Sequence, residues 1–274
     1  MTVGIDRMPH VSTYPTRVDL GRAAAAAAAE RVREAIASTG RARLMLAAAP
    51  SQAATLAALA VEPDVDWSKV ECFHMDEYVG LAADAPQGFR NWLRRNFTDK
   101  VPQATFRPLD PGSDAEAAAR DYEVLMGSEP FDLVLLGLGV NGHLAFNDPP
   151  ADFADPRAAK VVALDEISRR QQVDEGNFAD LDDVPTHAVT VTIPRLLNAH
   201  AVIGSVPGTV KRQAVHDTLT RPIDPNYPGT ALRTHPNVQL FLDSESADPE
   251  SGDTAGGTAG GTDSSDAESG DAEL

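Results

Sequence analysis

What most restricts this chain is a set of short, almost wholly apolar runs that recur between helix-forming stretches. RLMLAAA (residues 43–49), FDLVLLGLG (131–139), AVIGSV (201–206) and VQLFLD (238–243) lack the apolar/polar alternation of a strand with one wet face. Runs of this kind read as strands buried on both sides. KVECFHMDEYV (69–79) opens with the same character, and AVTVTI (188–193) is a further strand. Between them lie helical stretches: residues 22–37 with a run of alanines, a segment starting near Ser51 that covers QAATLAALA, and residues 87–96, 114–126 and 209–219. Strands alternating with helices predict an α/β fold, a mostly parallel doubly wound sheet with helices on both faces. Ligands of such sheets bind beyond the carboxyl ends of the strands.

Length and charge narrow the function. The 274 residues suit one large domain or two small ones and can bury a proper core. With 41 acidic and 23 basic residues the formal net charge is −18, which argues against a broad nucleic-acid surface. No run of about 18 apolar residues is present, so no membrane-spanning helix is expected. The start, MTVGIDRMPHVSTYPTRVDLG, lacks the layout of a signal peptide. Cys72 is the sole cysteine, excluding an internal disulfide and a cysteine-built zinc site. These features predict a cytoplasmic protein. Residues 243–274 hold ten acids, no base and almost nothing large and apolar after Leu242, and read as an acidic disordered tail behind a domain of residues 1–242. Of the 23 basic residues four are lysines (Lys69, Lys100, Lys160 and Lys211), and carboxylates in excess over lysines suit a protein adapted to high salt. An ordinary acidic enzyme has the same composition.

Three strand ends carry chemistry. In FHMDEYVGL, Asp76 and Glu77 follow a buried strand, so at least one carboxylate should face the crevice; shielded from water, it can be tuned to take a proton from carbon. An Asp that merely caps the next turn is the alternative, and the commoner use of a lone Asp there. In GLGVNGHLAFNDPP, Gly137, Gly139 and Gly142 let the backbone approach a ligand, with His143 and Asp148 close behind. Histidine exchanges protons near neutral pH and a carboxylate can orient it. Asn141 and Asn147 add neutral hydrogen-bonding groups. No Walker-type Gly-Lys-Ser/Thr loop is present, and neither His143 nor His74 has companions for a metal site. In VPGTVKRQAV, Lys211 sits in the first turn of a helix after a Pro-Gly turn, a good seat for phosphate, though taken alone an exposed lysine is the commoner case. AAAPSQAAT places Ser51 where it could cap a helix or meet an anion.

FHMDEYVGL and GLGVNGHLAFNDP together resemble the signature segments of the glucosamine-6-phosphate deaminase (glucosamine-6-phosphate isomerase) family, whose superfamily includes the 6-phosphogluconolactonases. THAVTVTIPRLLNA, VPGTVK and LRTHPNVQLFLD support the resemblance, which covers roughly residues 15–243. It implies conversion of glucosamine 6-phosphate and water to fructose 6-phosphate and ammonia, with no metal and no organic cofactor. By the same resemblance His143 serves ring opening, Asp148 is its acidic partner and Asp76 takes the C2 proton. Asn141 stands where several members carry Asp, and Asp148 where Glu is commoner. AAAPSQAAT replaces a Gly- and Thr-rich phosphate turn, leaving Ser51, Gln52 and Thr55 as polar atoms, with Gly139, Gly142 and Lys211 completing the expected substrate site. The arginine usually supplied from above the site is expected from SRRQQ, as Arg170 or its neighbour Arg169. Residues 149–185 are expected to form a lid, or else a surface insertion with its own helix. The expected partner is a small sugar phosphate, with neither nucleic acid nor membrane; some family members are hexamers, so a homo-oligomer is compatible. Two other readings stay open: a lactonase or isomerase acting on a related sugar phosphate, and a sugar-phosphate sensor without turnover.

Overall fold

The computed structural model describes residues 5–247; the tail expectation beyond residue 247 lies outside the described residues. The strands are β1 (His10–Tyr14), β2 (Ala42–Leu46), β3 (Val70–His74), β4 (Asp76–Tyr78), β5 (Thr105–Arg107), β6 (Leu133–Leu136), β7 (Ala159–Ala163), β8 (His187–Val191), β9 (Val202–Val206) and β10 (Val238–Asp243). The helices are α1 (Arg17–Thr39), α2 (Ala53–Leu59), α3 (Phe89–Asn96), α4 (Ala115–Met126), α5 (Glu166–Asp174), α6 (Ile193–Leu196) and α7 (Arg212–Thr220).

Seven strands form one parallel sheet in the order β1-β10-β9-β6-β2-β3-β5. Its inner strands are mostly apolar because both faces are covered. Leu44, Leu46, Cys72, Leu133, Leu135 and Ile203 point to one side and pack with Leu20, Ala24, Ala28 and Leu56 of α1 and α2. Their chain neighbours Met45, Phe73, Val134, Leu136 and Val202 point to the other, against Ala119, Tyr122 and Met126 of α4 and Val215 and Leu219 of α7. This is the period-two geometry of a strand with a core on each side. The edge strands β1 and β5, invisible as apolar runs, have half-exposed patterns.

From β2 the chain moves to β3 and β5 in one direction; from β6 it moves to β9 and β10 in the other. The divergence falls between β2 and β6, and a crevice opens beyond their carboxyl ends. The loops after β3, β2, β6 and β9, adjacent in the sheet, therefore converge on one place.

Two expectations need correction. AVTVTI is not a strand of the parallel sheet: β8 lies in a separate antiparallel sheet of order β4-β8-β7. Its apolar composition is that of any buried strand, and only its pairing places it elsewhere. The domain boundary at residue 242 cuts through β10. Asp243 is buried, and its carboxylate accepts from the backbone N–H of Gly208 (2.9 and 3.1 Å) and of Ser246 (2.9 Å). It thereby fixes the turn that presents Lys211.

The alanines of α1 serve close approach. Thr16 caps the helix, accepting from the Asp19 N–H, and Gly40 ends it in the left-handed region at φ 82°. A Cβ on Gly21 would stand 2.7 Å from the Ala54 Cβ and 2.8 Å from the Ala54 carbonyl carbon of α2. In an exposed helix Gly→Ala stabilises by about 1 kcal/mol, but overpacking against backbone costs about 1–3 kcal/mol. Gly21→Ala is therefore expected to be net destabilising, read as a lower midpoint in urea unfolding; an increase would show that α1 and α2 can separate freely.

Candidate active site

The crevice is a cleft open to solvent, lined from all four loops and from α5. At Met75 the chain leaves the parallel sheet: the Met75 N–H still donates to the Leu46 carbonyl (3.2 Å), while its carbonyl accepts from the Val191 N–H (2.7 Å) of the small sheet. Asp76 is the first residue of β4, paired with Thr190. Alternation along this short strand separates the two carboxylates. Asp76 lines the cleft, whereas Glu77 turns away and accepts from the N–H groups of Tyr78, Phe89 and Arg90 (2.9–3.0 Å), sealing the start of α3. Asp76 is 7% exposed, and its carboxylate has no hydrogen-bond or ion-pair partner among the described residues. Burial, aided by the nearby Glu77 charge, raises its pKa well above the usual carboxylate range.

His143 arrives from the loop after β6. A Cβ on Gly139 would lie 2.2 Å from His143 Cε1 and Nε2, so the ring rests directly on the Gly139 backbone. The loop closes tightly around it, Gly139 N–H donating to the His143 carbonyl and Gly142 N–H to the Gly139 carbonyl, each at 3.0 Å. Gly142, at φ 81°, shapes this turn and does not line the cleft. His143 Nδ1 lies 2.9 Å from Ser168 Oγ and 3.1 Å from Asp148 Oδ1. Ser168 Oγ donates to the same Asp148 oxygen (2.5 Å), as does Asn141 Nδ2 (3.0 Å), and Asn141 Oδ1 accepts from the His143 N–H (3.1 Å). With these acceptors behind Nδ1, the imidazole keeps its Nδ1 proton inward and has Nε2 left for chemistry. Burial pushes the Asp148 pKa up, but the hydrogen bond and charge of His143, with the bonds from Ser168 and Asn141, outweigh it and hold Asp148 at about 2. Asp148 thus stays ionised.

Lys211 is 4% exposed and reaches the cleft from the end of a 3₁₀ turn, Thr209–Lys211, that leads into α7. Burial lowers its pKa, opposed by Glu175 at 3.8 Å. Ser51 lines the same end, while Gln52 and Thr55 lie beneath it. Gln52 Nε2 donates to the Ser205 carbonyl and Thr55 Oγ1 pairs with Ser205 Oγ, each at 2.9 Å. They brace the AAAPSQ turn against β9.

Arg170 is placed away from the site: its side chain is 63% exposed and pairs with Glu166 (2.6 Å). Arg169 donates to the carbonyls of Leu181 and Val184. On α5 Arg170 faces outward, Arg169 is turned to residues 181–184, and a polar stripe faces the cleft. Ser168, Gln171, Gln172 and Glu175 occupy i, i+3, i+4 and i+7, and the last three line the cleft. Sequence reasoning missed these residues. Their helical spacing is the available signal, because a polar stripe on a buried face must meet polar partners. Residues 149–185 thus combine β7, locked into the small sheet, with a helix standing over the cleft. His74 is wholly buried, its Nε2 accepting from the Leu109 N–H (2.8 Å), and burial pushes its pKa down to about 3. Among the described residues no group of three or more His, Cys, Asp or Glu side chains is poised to hold a metal ion, and no helix is long and apolar enough to cross a membrane.

Known proteins share this architecture. The sequence profile of the family described as glucosamine-6-phosphate isomerases/6-phosphogluconolactonase matches residues 15–241. A glucosamine-6-phosphate deaminase of Listeria welshimeri is 36% identical over 211 residues, covering 77% of this chain and 88% of its own. One of Streptococcus pneumoniae is 35% identical over 190 residues, 68% of this chain and 78% of its own. Among solved structures, a monomeric glucosamine-6-phosphate deaminase superposes with a TM-score of 0.79 at 28% identity, covering 86% of this chain and 98% of its own. A 6-phosphogluconolactonase of Shewanella baltica, with a TM-score of 0.72 at 20% identity over 88% of this chain and 99% of its own, shares the fold. By the extent of the profile match and by these identities, the chain belongs to the glucosamine-6-phosphate isomerase/6-phosphogluconolactonase family.

Proposed function

We propose that this protein converts glucosamine 6-phosphate and water to fructose 6-phosphate and ammonia. The observation that carries the reading is a buried carboxylate without partners, Asp76, sharing one cleft with an imidazole backed by a carboxylate and with a lysine. His143 Nε2 moves a proton between the ring oxygen and O1 of the sugar, opening the ring. Asp76 then takes the C2 proton, and the resulting enolamine isomerises and loses its amine as ammonia when water adds. Asp148, with Ser168 and Asn141, keeps the imidazole oriented. Lys211 and Ser51 receive the phosphate. Lactone hydrolysis needs no base at C2, which disfavours the lactonase reading. A sensor without turnover has no use for a carboxylate kept buried and unpaired, since such a group costs stability. We place the enzyme in a salt-rich cytoplasm, on the strength of its carboxylate excess.

Asp76→Asn is expected to lower kcat by about 10²–10⁴ in an assay that counts ammonia and fructose 6-phosphate together; undiminished ammonia release would remove Asp76 as the base. Because the base must be ionised and burial raises its pKa, kcat/KM should rise with pH through a value above the ordinary carboxylate range. A limb at the ordinary Asp value would contradict the buried environment.

His143→Gln is expected to slow turnover chiefly at ring opening, so an open-chain analogue should react nearly as fast as with the parent enzyme. Equal slowing on that analogue would reassign the residue. Activity should persist at multimolar salt, measured by the same assay; inactivation there would mark an ordinary acidic enzyme.

A further inference from the structure

The cleft contains an oddity of charge. Lys211 is the one lysine or arginine lining it among the described residues, and a carboxylate already faces it: Glu175 Oε1 lies 3.8 Å from Lys211 Nζ. Glu175 is itself largely buried, its side chain 20% exposed, at the C-terminal end of α5. Gln171 holds it there, donating from Nε2 to Glu175 Oε1 (2.7 Å) while its own Oε1 accepts from the Val140 N–H (3.0 Å) of the His143 loop. Where an arginine was expected from this segment, α5 delivers a carboxylate.

A phosphate arriving at Lys211 meets Glu175 as a like charge in a partly desolvated space, where such pairs repel far more strongly than in water. Both cannot keep the lysine at close range. We propose that Glu175 is a positioning residue that occupies Lys211 in the free enzyme and is displaced by the phosphate of the substrate, so that it sets how tightly the site holds an anion. The inference rests on the cleft being a sugar-phosphate site. Its physical content is a competition: Glu175 keeps the buried ammonium ionised and held toward α5 while the cleft is empty, at the expense of anion affinity. Displacement also frees the Nε2 donor of Gln171, whose Oε1 still accepts from the Val140 N–H, which links the event to the loop carrying His143.

The test measures competitive inhibition by inorganic phosphate, together with KM and kcat for glucosamine 6-phosphate, in the parent protein and in Glu175→Gln and Glu175→Ala. Thermal melting confirms that each is folded. Removing the competing charge should tighten phosphate inhibition about tenfold and lower KM without raising kcat, as expected for a like-charge neighbour near a partly desolvated site. Two substitutions guard against a local packing defect, since both remove the charge and leave different shapes. Phosphate inhibition unchanged or weakened in whichever variant is folded overturns the inference. If the parent neither deaminates the sugar nor is inhibited by phosphate, the reading of the cleft fails and the inference fails with it. Deamination and phosphate inhibition by the parent with no tightening in the variants leave that reading standing and sink the inference alone.

Discussion

The parallel sheet is sealed on both faces, and everything functional follows from that constraint. Leu44 and Leu46 bury into one layer of helices and Met45 into the other, so no side chain of the central strands is free to meet a ligand within the sheet. The unpaired chemistry is displaced to the carboxyl ends. There the strand order diverges between β2 and β6 and prevents the connections from covering the gap. The inner face of α5 adds the remaining wall, and the switch from the parallel to the small antiparallel sheet at Met75 sets Asp76 at the rim.

Within the cleft, polar groups are unevenly satisfied, and the unevenness separates their roles. Asp148 gathers hydrogen bonds from Asn141 and Ser168 beside the imidazole and is held ionised. Asp76 gathers none and is pushed the other way. Two aspartates, one lining the cleft and one behind the imidazole, thus acquire opposite proton affinities from their surroundings. Glu77, adjacent to Asp76 in sequence, belongs to neither group; three backbone N–H groups occupy it at the start of α3.

Much of the architecture was legible because burial on two faces leaves a strong mark: β2, β6, β9 and β10 are visible as apolar runs. The edges were not, since HVSTY and TFR are half wet and carry no such mark. AVTVTI was recognised as a strand and assigned to the wrong sheet, because composition reports burial and not partner. Of the residues singled out in the sequence, Asp76, His143, Ser51, Gly139 and Lys211 line one cleft and Asp148 backs it. Gln52 and Thr55 turned out to be braces, Gly142 a turn residue, and Arg170 a surface residue paired with Glu166.

The sequence by itself determined the α/β alternation and the strand ends at which reactive side chains accumulate, because both are local consequences of what must avoid water and what cannot. Only the tertiary structure decided which of two adjacent carboxylates enters the cleft, which face of α5 looks down on it, and that Ser168 and Glu175 meet His143 and Lys211 there. Those choices depend on pairing in the small sheet and on the packing of α5. Such contacts join residues 25 or more positions apart, and no local pattern encodes the distance between their side chains.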